Sequence, residues 1–225
     1  MATQLLNAAE SWIGHGKWQI EPGIIDWNDT NRDKFTEFMI MFADYSNGLS
    51  QQEVLRSYIN KTMTMNCWQF VLLCMYEARL IDRSDICKLY YHSDQLLKAV
   101  PLLFDVKYTK KEQPIQGDII LYAVDNKLQH AAICSSVTDI DIEIIDICDG
   151  PIRKISEAYV LALYDFKETH YLDLERVVAT IKNLSPIDKD DGWIYNWIFD
   201  KSLCVFAVGL VCGYLGCRYV EFYTK

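Results

Sequence analysis

The hydrophobic period of this chain changes once, and that change limits the fold more than any other feature. Up to about residue 99, apolar residues recur at helical spacing; from about residue 105 they fall into short β-like runs. In the first half, Phe35, Phe38, Met39 and Phe42 share one face of a helix predicted over 32–46, capped by Asp29-Thr30-Asn31 and ended by Asn47-Gly48. Ser50-Gln51-Gln52-Glu53 reads as a capping box for a helix near 51–60. The strongest helix is predicted over 66–80, through Phe70, Leu73, Cys74 and Ala78, with another over 84–99. In the second half the runs predict strands over 105–108, 118–124, 130–137 and 142–148, with a further strand over 157–166. Helices first and an antiparallel sheet second make an α+β domain.

Three segments follow from this pattern. Residues 1–50 form an N-terminal helical and loop segment, and 51–167 hold the core of helices and strands. Residues 168–225 read as a C-terminal helical extension: a helix near 171–183, an acidic turn, the aromatic run Trp193–Phe199, and the apolar stretch 203–217 without a charge.

Of the 225 residues, 51% are hydrophobic, enough to bury a core. The net charge of −9, with no basic patch, argues against nucleic acid as a partner. Eight cysteines occur without a single CxxC pair, mostly inside apolar runs, and read as reduced thiols of a cytosolic product. The four histidines, at 15, 92, 130 and 170, lack ligand spacing with cysteine, so neither a metal nor another cofactor is expected.

One thiol stands in a different context. Asn66-Cys67-Trp68-Gln69-Phe70 opens the strongest helix, and a thiol at a helix start is biased toward thiolate by free N–H groups and the helix dipole. His130 begins an apolar strand, in Gln129-His130-Ala131-Ala132-Ile133. A thiol attacking a carbonyl needs a base, and the base needs a polar group on its other nitrogen. Cys67 is therefore read as nucleophile and His130 as base. Asp146, the one charge within Ile144-Ile145-Asp146-Ile147, is read as the orienting group, with Asp149 as the alternative. The backbone N–H of Cys67 is the natural first oxyanion donor, with Tyr58 and Asn66 as candidates for the second. A serine nucleophile has no support, since no G-x-S-x-G occurs.

In this order, cysteine helix, Gly117-Asp118-Ile119-Ile120-Leu121-Tyr122, His130 strand and acidic strand, the chain resembles the NlpC-type and CHAP cysteine peptidases and amidases of the papain-like superfamily. The resemblance covers about residues 55–150. It implies a papain-like fold, with N-terminal helices packed on a small antiparallel sheet, and in CHAP members an acid on the following strand, which maps onto Asp146. Asn66 and Gln129 depart from the commoner small or acidic neighbours, and Cys148 stands where a polar residue is often found. Most such enzymes cut peptide or amide bonds of bacterial cell wall.

Met1 to Leu6 has neither a basic residue nor a long apolar stretch, so no Sec-type signal is read there and the product is expected to be made in the cytoplasm. A wall hydrolase without a signal resembles antibacterial effectors delivered to a target periplasm by machines such as type VI secretion, and also phage lysis enzymes. The expected partners are peptidoglycan stem peptides and an immunity protein. The 203–217 stretch gives a second expectation, membrane contact; fifteen apolar residues fall short of the ~20 that span a bilayer, so burial within the protein competes with it. The alternative functions are a cysteine protease, deamidase or acyl hydrolase acting on a cytosolic protein or lipid, and a non-catalytic, membrane-associated scaffold.

Overall fold

The computed structural model describes residues 1–18, 34–40, 48–91, 110–111, 113–124 and 127–183. The strand expected at 105–108, the end of the helix expected over 84–99, Trp193–Phe199 and the 203–217 stretch lie outside the described residues.

The first half is helical: α1 (Ala2–Ser11), α2 (Lys34–Ile40), α3 (Gly48–Ile59), α4 (Cys67–Glu77) and α5 (Arg83–Tyr91). A short parallel pair joins β1 (Lys17–Trp18) to β2 (Thr64–Met65), immediately ahead of α4. The second half supplies β3 (Lys110–Lys111), β4 (Ile119–Val124), β5 (Lys127–Val137), β6 (Ile142–Asp146), β7 (Arg153–Ser156), α6 (Glu157–Tyr164), β8 (Glu168–Leu172) and α7 (Leu174–Lys182). The strands form one antiparallel sheet in the order β3-β8-β4-β5-β6-β7, five full strands and the two-residue edge strand β3. The architecture is α+β.

Both faces of the sheet are covered, which explains why β4 reads as an unbroken apolar run. Ile119 and Leu121 join Ala131, Ile133 and Ile145 beneath the main helical layer, while Ile120 and Tyr122 join Ala132, Cys134, Ile144 and Val160 of α6 on the opposite face. Helix α4 is the centre of the helical layer, packed on α1 and β5. Every residue from Cys67 to Met75 is buried, so α4 is a core helix, apolar all round. Each fully buried side chain of the size of Phe70 or Leu72 stabilises the fold by about 1.5–3 kcal/mol.

Two sequence expectations change. The run 157–166, expected as a strand, is the helix α6. Its Glu-Ala-Tyr-Val-Leu-Ala-Leu-Tyr sequence is rich in strong helix formers, Ser156 supplies an extended N-cap residue, and Asp165 closes the helix at φ +53°. The extension expected from residue 168 opens instead with β8, an inner strand between β3 and β4. The helix expected near 171–183 starts later because Asp173 caps α7, its carboxylate accepting the Arg176 N–H at 3.0 Å. The folded unit around the sheet thus runs to α7.

Candidate active site

Asn66 determines how α4 begins. It is extended (φ −91°, ψ 178°), its Oδ1 accepts the Gln69 N–H at 2.8 Å, and Gln69 Oε1 accepts the Asn66 N–H at 2.9 Å. This reciprocal capping box fixes Cys67 as the first helical residue, at the positive end of the helix dipole. Asn66 is 4% exposed, yet its Nδ2 has no hydrogen-bond partner among the described residues.

His130 and Asp146 come from neighbouring strands. Ile133 faces Ile145 across β5 and β6, so extending that register sets Asp146 opposite Ala132, with His130 the next residue on the same face. Asp146 Oδ2 lies 3.0 Å from His130 Nε2, and its Oδ1 accepts the Arg153 Nε–H at 3.1 Å. Asp146 is wholly buried and His130 is 2% exposed. The imidazole is flanked by aromatic rings, Tyr122 at 5.7 Å between centroids and Phe166 at 5.9 Å, the latter within 3° of parallel.

Cys67 reaches the same imidazole. Burial alone would depress His130. The charge at Cys67, hydrogen bonds to Asp146 and Cys67, and the Asp146 charge outweigh it and push the group up from 6.5 to about 9. With Nε2 engaged by the carboxylate, Nδ1 is the nitrogen left for the thiol. The series imidazole, carboxylate and guanidinium therefore runs from β5 through β6 to β7, with Cys67 near its imidazole end.

The other candidate residues lie elsewhere. Tyr58 stacks on Phe38 at 4.3 Å and lies against Trp12. Burial, then the charge of Glu77 and a hydrogen bond to it, raise the Tyr58 phenol well above its ordinary value. Glu77 ends α4, about 15 Å along the helix from Cys67 at 1.5 Å per residue, so Tyr58 is not brought to the thiol. It lines a cleft of about 450 Å³ with Tyr76, Glu77, Arg79, Asp82 and Lys182, none of them a neighbour of the His130 group. Asp149 is exposed in a turn at φ +59° and accepts a hydrogen bond from the Tyr164 hydroxyl. Of the two acids, Asp146 is the one on His130.

Gly117 and Asp118, which carry part of the motif, serve the backbone. Gly117 sits at φ +92° and its N–H reaches Cys134 O at 2.8 Å, while Asp118 Oδ2 accepts the Ile115 N–H at 2.8 Å. Arg153 is the site residue that sequence reasoning missed. Its signal was a lone arginine just past a tight loop, Asp149-Gly150-Pro151, after the acidic strand. The Asn66-x-x-Gln69 capping box was equally readable.

Among the described residues, no group of three or more His, Cys, Asp or Glu is placed to hold a metal ion, and Cys67, Cys74, Cys134 and Cys148 are free thiols. Among the same residues, no helix is long and apolar enough to cross a membrane. No family model matches the chain, and no curated protein or solved structure matches it.

An imidazole hydrogen-bonded to a buried carboxylate, with a thiol near it, has the parts needed to take a thiol proton and return it to a departing group. The carboxylate keeps Nε2 protonated, so Nδ1 is free to accept.

Proposed function

We propose that the chain is a papain-like cysteine hydrolase that cleaves amide bonds in peptidoglycan stem peptides and acts as an antibacterial toxin. The observation that carries the hydrolase reading is the His130 imidazole hydrogen-bonded to the buried Asp146, with Cys67 close enough to act on it. The short motifs around Cys67, Gly117 and His130 support the wall substrate and the papain-like fold.

Cys67 Sγ, its proton passed to His130 Nδ1, attacks the carbonyl carbon of the substrate amide. The oxyanion is received by the Cys67 backbone N–H and by Asn66 Nδ2, a buried donor with no partner among the described residues. Collapse of this intermediate breaks the C–N bond as His130 protonates the leaving amine, leaving a thioester on Cys67. Water, deprotonated by His130, then attacks the thioester and releases the carboxylic acid and the thiol.

The test is paired expression of wild type and Cys67→Ala, with and without a periplasmic signal, followed by mass analysis of purified cell wall. The expected result is lysis in the periplasm alone, lost in Cys67→Ala, with newly cleaved stem peptides. Killing that persists in Cys67→Ala, or intact stem peptides, overturns the reading. Cys67-dependent toxicity from the cytosol moves the substrate to a cytosolic protein or lipid.

A further inference from the structure

Among the described residues, Arg153 is the guanidinium in contact with Asp146, and its placement does more than neutralise a charge. Asp146 and Arg153 are direct cross-strand partners of β6 and β7, so the backbone register itself sets the guanidinium beside the carboxylate. The two carboxylate oxygens are divided: Oδ1 accepts from Arg153 Nε at 3.1 Å and Oδ2 faces His130 Nε2 at 3.0 Å. A carboxylate held at one oxygen by a register-fixed guanidinium cannot turn about its Cβ–Cγ bond without breaking that bond, so its second oxygen stays aimed at the imidazole. Tyr164, at the end of α6, lies close enough to Arg153 to act on it electrostatically, and its hydroxyl donates to Asp149. The Arg153 side chain is 31% exposed, whereas Asp146 has no exposure at all, so the cation screens a carboxylate that water cannot reach.

We infer that Arg153 is a positioning residue that locks Asp146 in the turned state in which it holds the His130 imidazole for Cys67. The inference rests on the hydrolase reading. It adds a fourth residue that touches neither substrate nor sulfur.

Without the guanidinium, the buried carboxylate loses the cation that balances it and the bond that orients it. It then turns away, and the turn withdraws support from the imidazole that serves Cys67. A role confined to holding β7 on β6 would lower stability and leave the His130–Cys67 pair alone. The charged and titratable groups facing the pair are Cys67 on α4, Tyr122 on β4, Asp146 on β6, Arg153 on β7, and Cys148, Asp149 and Tyr164 around them.

The experiment reads the pair directly and needs no substrate. The rate of Cys67 alkylation by iodoacetamide is followed by peptide mass analysis from pH 4 to pH 10 in wild type, Arg153→Gln and Arg153→Lys. In Arg153→Gln, the pH at which Cys67 becomes reactive should rise by about one unit, an approximately tenfold slower reaction on that limb, in keeping with the loss of a nearby charge. Arg153→Lys, which keeps the charge without the planar fork, should recover part of the shift. Arg153→Lys decides the matter if Arg153→Gln does not fold, since it should still show part of the shift. An unchanged limb in the folded variants, or one moved to lower pH, overturns the inference. A wild-type Cys67 that reacts no faster than Cys74 or Cys148 overturns the hydrolase reading itself.

Discussion

Replacing Asp146 with asparagine changes almost no volume and removes one charge from a point where two donors converge. Both Arg153 Nε–H and protonated His130 Nε2 need an acceptor, and an asparagine side chain offers one oxygen and one NH2. If the oxygen stays with Arg153, the NH2 faces Nε2. The imidazole must then carry its proton on Nδ1, the nitrogen required to accept from Cys67. The variant is therefore trapped in the wrong tautomer, and turnover should fall by about 10³–10⁴, the scale set by tautomer traps of this kind in hydrolases. Stability falls as well. Raising an imidazole from 6.5 to about 9 corresponds to about 3 kcal/mol, of which Asp146 shares the favourable part with Cys67. Converting the Arg153 bond from a charged to a neutral acceptor removes about 1 kcal/mol more. The expected cost near pH 7 is thus about 2–3 kcal/mol, read as a lower urea midpoint at unchanged slope. Because folding raises the His130 value, its contribution is complete below pH 6.5 and is lost as pH rises through about 9. The gap between wild type and Asp146→Asn should narrow from pH 6 to pH 10, keeping only the Arg153 part, since the guanidinium does not titrate there. A variant within 0.5 kcal/mol of wild type, or a gap that widens with pH, refutes this account of the carboxylate.

Two further substitutions separate structure from chemistry. Asn66→Asp keeps a cap acceptor of equal quality for Gln69 N–H but deletes the Nδ2 donor and sets a negative charge near the oxyanion; thermal stability should move by less than ~1 kcal/mol while kcat falls by about 100-fold or more. Equal kcat with intact stability would remove Asn66 from the oxyanion site. Gly117→Ala combines strain at φ +92° with a Cβ only 2.5 Å from Ala2 Cβ and 2.9 Å from Ala2 Cα, so it should cost about 2–4 kcal/mol in denaturant titration; a loss below 1 kcal/mol would show that α1 moves aside freely.

The strands that build the sheet's centre were legible because each is an apolar run ended by turn residues, and β4, β5 and β6 fall where those runs fall. The cysteine helix was legible from its spacing, and its start from the polar residue before it. Asp146 was legible as a lone charge among isoleucines, since a buried carboxylate must have a partner. Arg153 was not, because its role depends on the register of β6 against β7, and the loop between them hides that register. Tyr58 was chosen for lying upstream of Cys67, but nearness along the chain does not say which end of a helix a residue will meet; Trp12, Phe38 and Glu77 hold it at the far end. Residues 157–164 failed for another reason. A segment apolar at almost every position carries neither period, so capping and helix propensity decide its form.

Residues 14–17 make a backbone clasp whose effect reaches beyond packing. Gly14 N–H reaches Ile152 O at 2.7 Å and Ile152 N–H reaches His15 O at 2.8 Å, while Gly16 and Lys17 bond to Lys61 O and Met63 O at 2.8 and 2.9 Å. One side of the clasp is the residue before Arg153 and the other is the approach to Asn66 and Cys67. The thiol-bearing and acid-bearing halves are thus tied through a third segment that is made first and completed last. During synthesis this segment waits for Ile152, and Cys67 has no imidazole or carboxylate to work with until those later strands leave the ribosome. On the hydrolase reading, a nascent chain would stay inactive until His130, Asp146 and Ile152 have all been translated.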